Sequence, residues 1–202
     1  MTKTPDDSGP KSGFNRRDFL VGSGAAAAVS AVATREALAA DKSGPAVVRG
    51  KTTVELNVNG QTHRVSVEPR TTLLEALRYQ LDLTGAKPVS GDGSSGASTV
   101  IVDGRLAMAS TMLAISVRGK KIQTVESLAE SSIPAAFVKH DAQQCGFCTP
   151  GFVVAVRSFL DKYPNATEDQ IRAGLNHNIC RCGTYANIIQ AVIDVVKGGG
   201  NG

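Results

Sequence analysis

Tryptophan is missing from the 202 residues, and the other aromatics are few: six Phe and three Tyr, 4% of the chain. With so few rings, and with Lys and Arg scattered along the sequence, the chain has no interleaved basic and aromatic surface of the kind that holds nucleic acid. Charge of one sign is also scarce, since 22 Lys and Arg stand against 18 Asp and Glu for a formal +4. No uncharged run is apolar enough over about 20 residues to cross a membrane, so no membrane span is expected. Cysteine is limited to four, all between positions 145 and 182. What remains, 42% hydrophobic and 20% charged, is the composition of a globular protein of one or two small domains.

The first 39 residues read as a twin-arginine signal peptide. A polar stretch rich in Gly, Ser and Pro leads into Arg16-Arg17-Asp18-Phe19-Leu20, a twin-arginine pair followed by apolar residues. Phe19 to Ala33 carries no charge and is mostly Ala and Gly, which fits a signal core better than a spanning helix. Ala37-Leu38-Ala39 supplies the small residues of a cleavage site, so the mature chain is expected to begin near Ala40, in the periplasm, with residues 40–49 as a linker. The twin-arginine route exports folded proteins, which suits a cofactor inserted in the cytoplasm.

Residues 50–130 read as a small mixed domain. Val54, Leu56 and Val58 alternate with polar residues, Asn59-Gly60 is a two-residue hairpin turn, and Val65 and Val67 resume the alternation. Thr72 followed by Glu75 predicts a capped helix bearing Leu73, Leu74, Leu77 and Leu81. The Gly-rich stretch 85–96 is loop, strands follow at Thr99 to Val102 and Leu106 to Ala109 around Asp103-Gly104, and a last strand covers Lys121 to Val125. That order resembles a β-grasp. From Ser132 the pattern becomes helical: Pro134 to Asp141; a helix capped by Thr149 with Pro150 at its first position; a third opened by the Thr167/Gln170 capping box; and a fourth along Ile188, Ile189, Val192, Ile193 and Val196. The fold class is therefore α+β, a β-grasp domain followed by a four-helix bundle over residues 131–197, with 198–202 as a disordered tail.

The cysteine spacing is the strongest chemical signal. Cys145-Gly146-Phe147-Cys148 is followed, after 31 intervening residues, by Cys180-Arg181-Cys182, two thiol pairs at helix ends that a bundle can bring together. Iron in a [2Fe–2S] cluster prefers sulfur and takes four Cys ligands, two per iron, so Cys145, Cys148, Cys180 and Cys182 suffice for one cluster. Helix N-termini directly after Cys148 and Cys182 would help to stabilise thiolates. Two alternatives compete: disulfides, for which a Cys-x-Cys pair is badly placed, and a structural zinc site, whose usual spacing is two C-x₂₋₄-C knuckles. His63, His140 and His177 are isolated in sequence and read as surface or packing residues.

Gln144-Cys145-Gly146-Phe147-Cys148-Thr149-Pro150-Gly151 together with Asn178-Ile179-Cys180-Arg181-Cys182-Gly183-Thr184-Tyr185 resembles the helical cluster domain of the xanthine dehydrogenase and aldehyde oxidoreductase family, the molybdenum hydroxylases, and the likeness extends over residues 50–197. The resemblance implies a large partner subunit holding molybdopterin, with Gln144 reaching toward the pterin. It also implies an outward acceptor, an FAD subunit or a cytochrome. The family's first domain is ferredoxin-like and holds a second [2Fe–2S] cluster through C-x₄-C-x₂-C and a fourth Cys. Aligned on Gly91-Asp92-Gly93 and Thr99 to Arg105, those four positions are Ser90, Ser95, Ser98 and Ser110. A hydroxyl is a hard, weakly acidic ligand, so the second cluster is expected to be lost, the loop loosened, and onward electron transfer impaired. The function implied is an electron-transfer subunit of a periplasmic oxidase of aldehydes or N-heterocycles, with no active site of its own; a stand-alone iron–sulfur carrier and a zinc-bound adaptor are the alternatives.

Overall fold

Asn59 (φ 52°) and Gly60 (φ 81°) both occupy the left-handed region, as a tight hairpin turn of two residues demands. They join β1 (Thr52–Val58) to β2 (Gln61–Val67), in a register that runs from Thr52 opposite Val67 to Val58 opposite Gln61. The computed structural model describes residues 47–199. The signal peptide and its cleavage site, linker residues 40–46 and tail residues 200–202 lie outside the described residues.

Helix α1 (Leu73–Gln80) begins where the capping box places it. The Thr72 hydroxyl accepts from the Glu75 N–H at 3.2 Å, and the Glu75 carboxylate accepts from the Thr72 N–H at 2.8 Å. Leu73, Leu74, Ala76 and Leu77 are buried on one face of the sheet, against Val54, Leu56, Val65, Val67, Val100 and Val102. Strands β3 (Thr99–Val102), β4 (Arg105–Met108) and β5 (Lys121–Gln123) complete a mixed sheet of order β2-β1-β5-β3-β4, in which β1 and β5 run parallel. The last strand is shorter than its sequence suggests. Asn59 explains this: its side chain accepts from the Thr124 N–H and donates to the Thr124 hydroxyl, both at 2.9 Å, which draws the chain out of the ladder into a 3₁₀ turn over Val125–Leu128.

Four more helices follow: α2 (Ser132–Lys139), α3 (Thr149–Leu160), α4 (Glu168–Gly174) and α5 (Tyr185–Lys197). The Thr167/Gln170 box opens α4 as expected. Helix α2 begins at Ser132, two residues earlier than expected, and ends at Lys139. Helix α3 departs from its expected cap. Cys148 already curls into the helical region (φ −82°, ψ −19°) and takes the capping position, so Thr149 and Pro150 become the first two helical residues.

Every residue of β3 is buried, and its alternation serves two cores. Val100 and Val102 belong to the sheet-and-α1 core, while Ile101 packs with Phe137, Phe152, Val156 and Ile188 among the helices. The helical core is thus walled partly by the sheet. Residues 48–199 belong to one compact unit, α+β in class, with a mixed sheet and five α-helices among the described residues.

Candidate metal centre

The turn between α2 and α3 carries the first thiol pair. Asp141 (φ 49°) and Gly146 (φ 78°) reverse the chain, bringing Cys148 to the head of α3, 8% exposed, with Cys145 outside it in solvent. The second pair lies between α4 and α5, where Cys180 is buried and Cys182 exposed. All four cysteines are free.

Cys148 and Cys180 meet. They are near enough for each to perturb the titration of the other, and the charge of Cys145 also reaches Cys148. Cys182 is exposed and takes no part in that contact. It stands ahead of Gly183 (φ 83°), and Thr184, not Cys182, precedes the first turn of α5, so the expected thiolate-stabilising helix end lies two residues further on. Among the described residues no three metal-ligating side chains gather about one point; a two-iron cluster asks instead for pairs of thiolates about two centres.

Burial pushes the Cys148 thiol up to about 12, and the bond to Cys180 with the charges of Cys180 and Cys145 adds to the rise. Proximity to the α3 terminus does not overcome this. For Cys180, burial also acts upward, but hydrogen bonds from the Thr184 hydroxyl and from Cys148, with backbone groups of Thr184 and Gly183, bring the net value below that of an ordinary thiol. Burial of both sulfurs disfavours a bare thiolate at either, and Cys180 adds to the penalty at Cys148, so a soft cation is the natural counter-charge for the pair. The donor set, four free thiols on converging loops, fits an iron–sulfur cluster.

Groups that sequence reasoning did not single out hold Cys180 in place. Its N–H donates to the Tyr185 hydroxyl at 2.8 Å, and its sulfur lies 3.1 Å from the Thr184 hydroxyl. Gln144 sits exposed beside Cys145.

The four serines also come together, in two couples. Ser90 and Ser95 share an Oγ···Oγ bond of 2.7 Å, and Ser98 and Ser110 one of 2.9 Å. Ser90 Oγ accepts from the Ser95 N–H at 3.0 Å and Ser98 Oγ from the Ser110 N–H at 3.3 Å. Bonds between hydroxyl and backbone N–H are those expected of serines at these positions; the bonds between hydroxyls come in addition. Hydroxyls satisfy one another and the backbone, as small polar side chains do in turns.

Comparison with known proteins places this geometry. The family described as [2Fe-2S] binding domain matches residues 124–193, a span that includes all four cysteines, and the twin-arginine translocation pathway signal sequence matches residues 13–33. The aldehyde oxidoreductase iron-sulfur-binding subunit PaoA of Escherichia coli O157:H7 is 38% identical over 200 residues, covering 90% of this chain and 87% of that protein. The chain belongs to the small iron–sulfur subunits of the xanthine dehydrogenase and aldehyde oxidoreductase family. The nicotinate dehydrogenase small FeS subunit of Eubacterium barkeri is 37% identical to this iron–sulfur protein over 146 residues, 70% of the chain and 93% of that protein. Among solved structures, quinoline 2-oxidoreductase from Pseudomonas putida 86 superposes with a TM-score of 0.69 at 34% identity, covering 74% of this chain and 98% of the matched one. The signal-sequence match supports twin-arginine export of the iron–sulfur subunit to the periplasm.

Proposed function

We propose that this chain is the electron-transfer subunit of a periplasmic molybdenum hydroxylase that oxidises aldehydes or N-heterocycles, and that it holds one [2Fe–2S] cluster through Cys145, Cys148, Cys180 and Cys182. Bound there, the cluster supplies one-electron transfer. The chain's own residues provide sulfur ligands from two loops, a Cys180 backbone held by Tyr185, and a polar neighbour in Thr184. Gln144, exposed next to Cys145, is the residue that would face molybdopterin in a large partner subunit. An FAD subunit or a cytochrome would take the electrons onward.

The observation that carries this reading is the contrast between two sets of four side chains. One set is thiols, two of them buried and in contact. The other is Ser90, Ser95, Ser98 and Ser110, coupled in pairs by hydroxyl bonds in the ferredoxin-like half, where the family's second cluster would sit. Oxygen replaces sulfur at each of those positions, so no second cluster assembles and onward transfer is impaired. Residues 1–39 act as the signal, cleaved near Ala39, and residues 50–130 and 131–197 form the two functional halves.

Iron and acid-labile sulfide analysis of the purified chain, with spin counting by low-temperature EPR after reduction, tests this reading. One cluster gives about two iron atoms per chain and a single signal. About four iron atoms, or two distinct signals, refutes loss of the second cluster, and zinc without labile sulfide refutes the iron site.

A further inference from the structure

Two bonds fasten the Cys180 arm to the serine loop. The Ile179 N–H donates to the Ser95 carbonyl at 3.0 Å, and Asn178 Nδ2 donates to the Gly96 carbonyl at 2.9 Å across 82 residues of sequence. The Gly96 carbonyl also receives the Thr99 N–H at 3.2 Å and the Thr99 hydroxyl at 2.5 Å. One loop oxygen thus ties the arm ahead of Cys180 to the start of β3, next to Ser98.

Space for this knot is made by two glycines. Gly96 has φ +69°, and a Cβ there would lie 2.6 Å from Asn178 Nδ2 and 2.8 Å from the His177 carbonyl. A Cβ on Gly151, in the first turn of α3, would lie 2.3 Å from the Gly96 carbonyl and 3.0 Å from Asn178 Nδ2. The loop, the α3 terminus and the arm approach one another too closely for any side chain but the amide.

The amide itself is not placed for stability alone. Asn178 is 2% exposed, and its Oδ1 is buried with no hydrogen-bond partner. Such an unsatisfied acceptor costs free energy that an apolar side chain of similar shape avoids. What the amide provides is the directed Nδ2 bond two residues before Cys180.

We propose that Asn178 is a positioning residue for the helical cluster, fixing the Cys180 sulfur by clamping its arm to the serine loop; this rests on the cluster reading above. The serine loop then has a present role independent of any iron of its own: it is the anvil against which the Cys180 arm is set. A ligand whose own N–H is held by the Tyr185 hydroxyl, and whose two preceding residues are held by the Ser95 and Gly96 carbonyls, keeps its sulfur in one direction.

The test uses the full-length chain isolated with its cluster, as wild type, Asn178→Leu, Asn178→Ala and, as a control for general destabilisation, Val192→Ala in the α5 core. Both Asn178 variants should release iron to a chelator about tenfold faster, the change expected for one lost hydrogen bond, and should shift the EPR g-values and midpoint potential. Val192→Ala should lower the melting temperature while leaving the signal and potential unchanged. Should Asn178→Leu fail to fold, Asn178→Ala, smaller and likewise without the donor, gives the answer. Iron-loaded Asn178 variants with the wild-type signal, potential and release rate overturn the positioning role alone. A wild-type chain without iron overturns the cluster reading and this proposal together.

Discussion

Replacing Ser90, Ser95, Ser98 and Ser110 together by cysteine asks whether the serine loop keeps the form of a metal site. The perturbation has two opposing consequences. In the metal-free variant the two hydroxyl couples and the bonds from the Ser95 and Ser110 N–H groups give way to thiols, which are weak donors and weak acceptors. At about 1 kcal/mol net for each bond, the loss is roughly 2–4 kcal/mol, and the buried Ser98–Ser110 couple carries the larger share. For a folded unit of this size, that is a fall in melting temperature of roughly 10 °C. Supplied with iron and sulfide, the variant should recover the loss and rise from about two to about four iron atoms per chain, with a second EPR signal. The assay is therefore paired: thermal melts of metal-free and reconstituted protein, and iron with spin counting on the same samples. A quadruple variant that folds but holds no more iron than wild type refutes the reasoning, because the serine couples would then not mark a cluster template.

Gly151→Ala places a Cβ 2.3 Å from the Gly96 carbonyl, and should destabilise the protein by about 1–3 kcal/mol, the cost of overpacking, read as a lower denaturant midpoint. Asp194, on α5, pairs with Lys139 at 2.8 Å and His140 at 3.2 Å. Hydrogen bonds from those two groups, opposed by slight burial and aided by their charge, hold its carboxyl below the ordinary carboxylate value. A depressed folded-state value means that the contribution is present above the unfolded carboxylate range and is lost as pH falls through the folded value. Asp194→Asn should therefore be slightly less stable than wild type near neutrality, with the difference vanishing in strong acid; urea unfolding at both pH values checks it.

Elements signalled by local chemistry are legible in the sequence. The Asn59-Gly60 turn and the Thr72/Glu75 and Thr167/Gln170 boxes each depend on residues within four positions of one another, so spacing alone locates them. Ends decided by distant partners are not. The side chain of Asn59 shortens β5 from 65 residues away, and the backbone of Cys148 takes the cap that spacing assigns to Thr149. The site shows the same division. Cysteine spacing announces a metal centre, but the couplings of Ser90 with Ser95 and Ser98 with Ser110, and the grip of Tyr185 on Cys180, depend on a folded geometry that no spacing displays. Serine hydroxyls are expected to seek backbone N–H groups, as at Ser95 and Ser110; that they also seek each other follows only once the fold sets them a few ångströms apart.

The position of β3 bears on any attempt to excise a minimal electron carrier. Ile101 looks into the helices while Val100 and Val102 look the other way, so a cut after residue 130 would strip one half of its lining and leave the other with a bare oily seam. A miniature built from the cysteine-bearing helices needs a substitute for that strand, or it will clump before it can be loaded with iron.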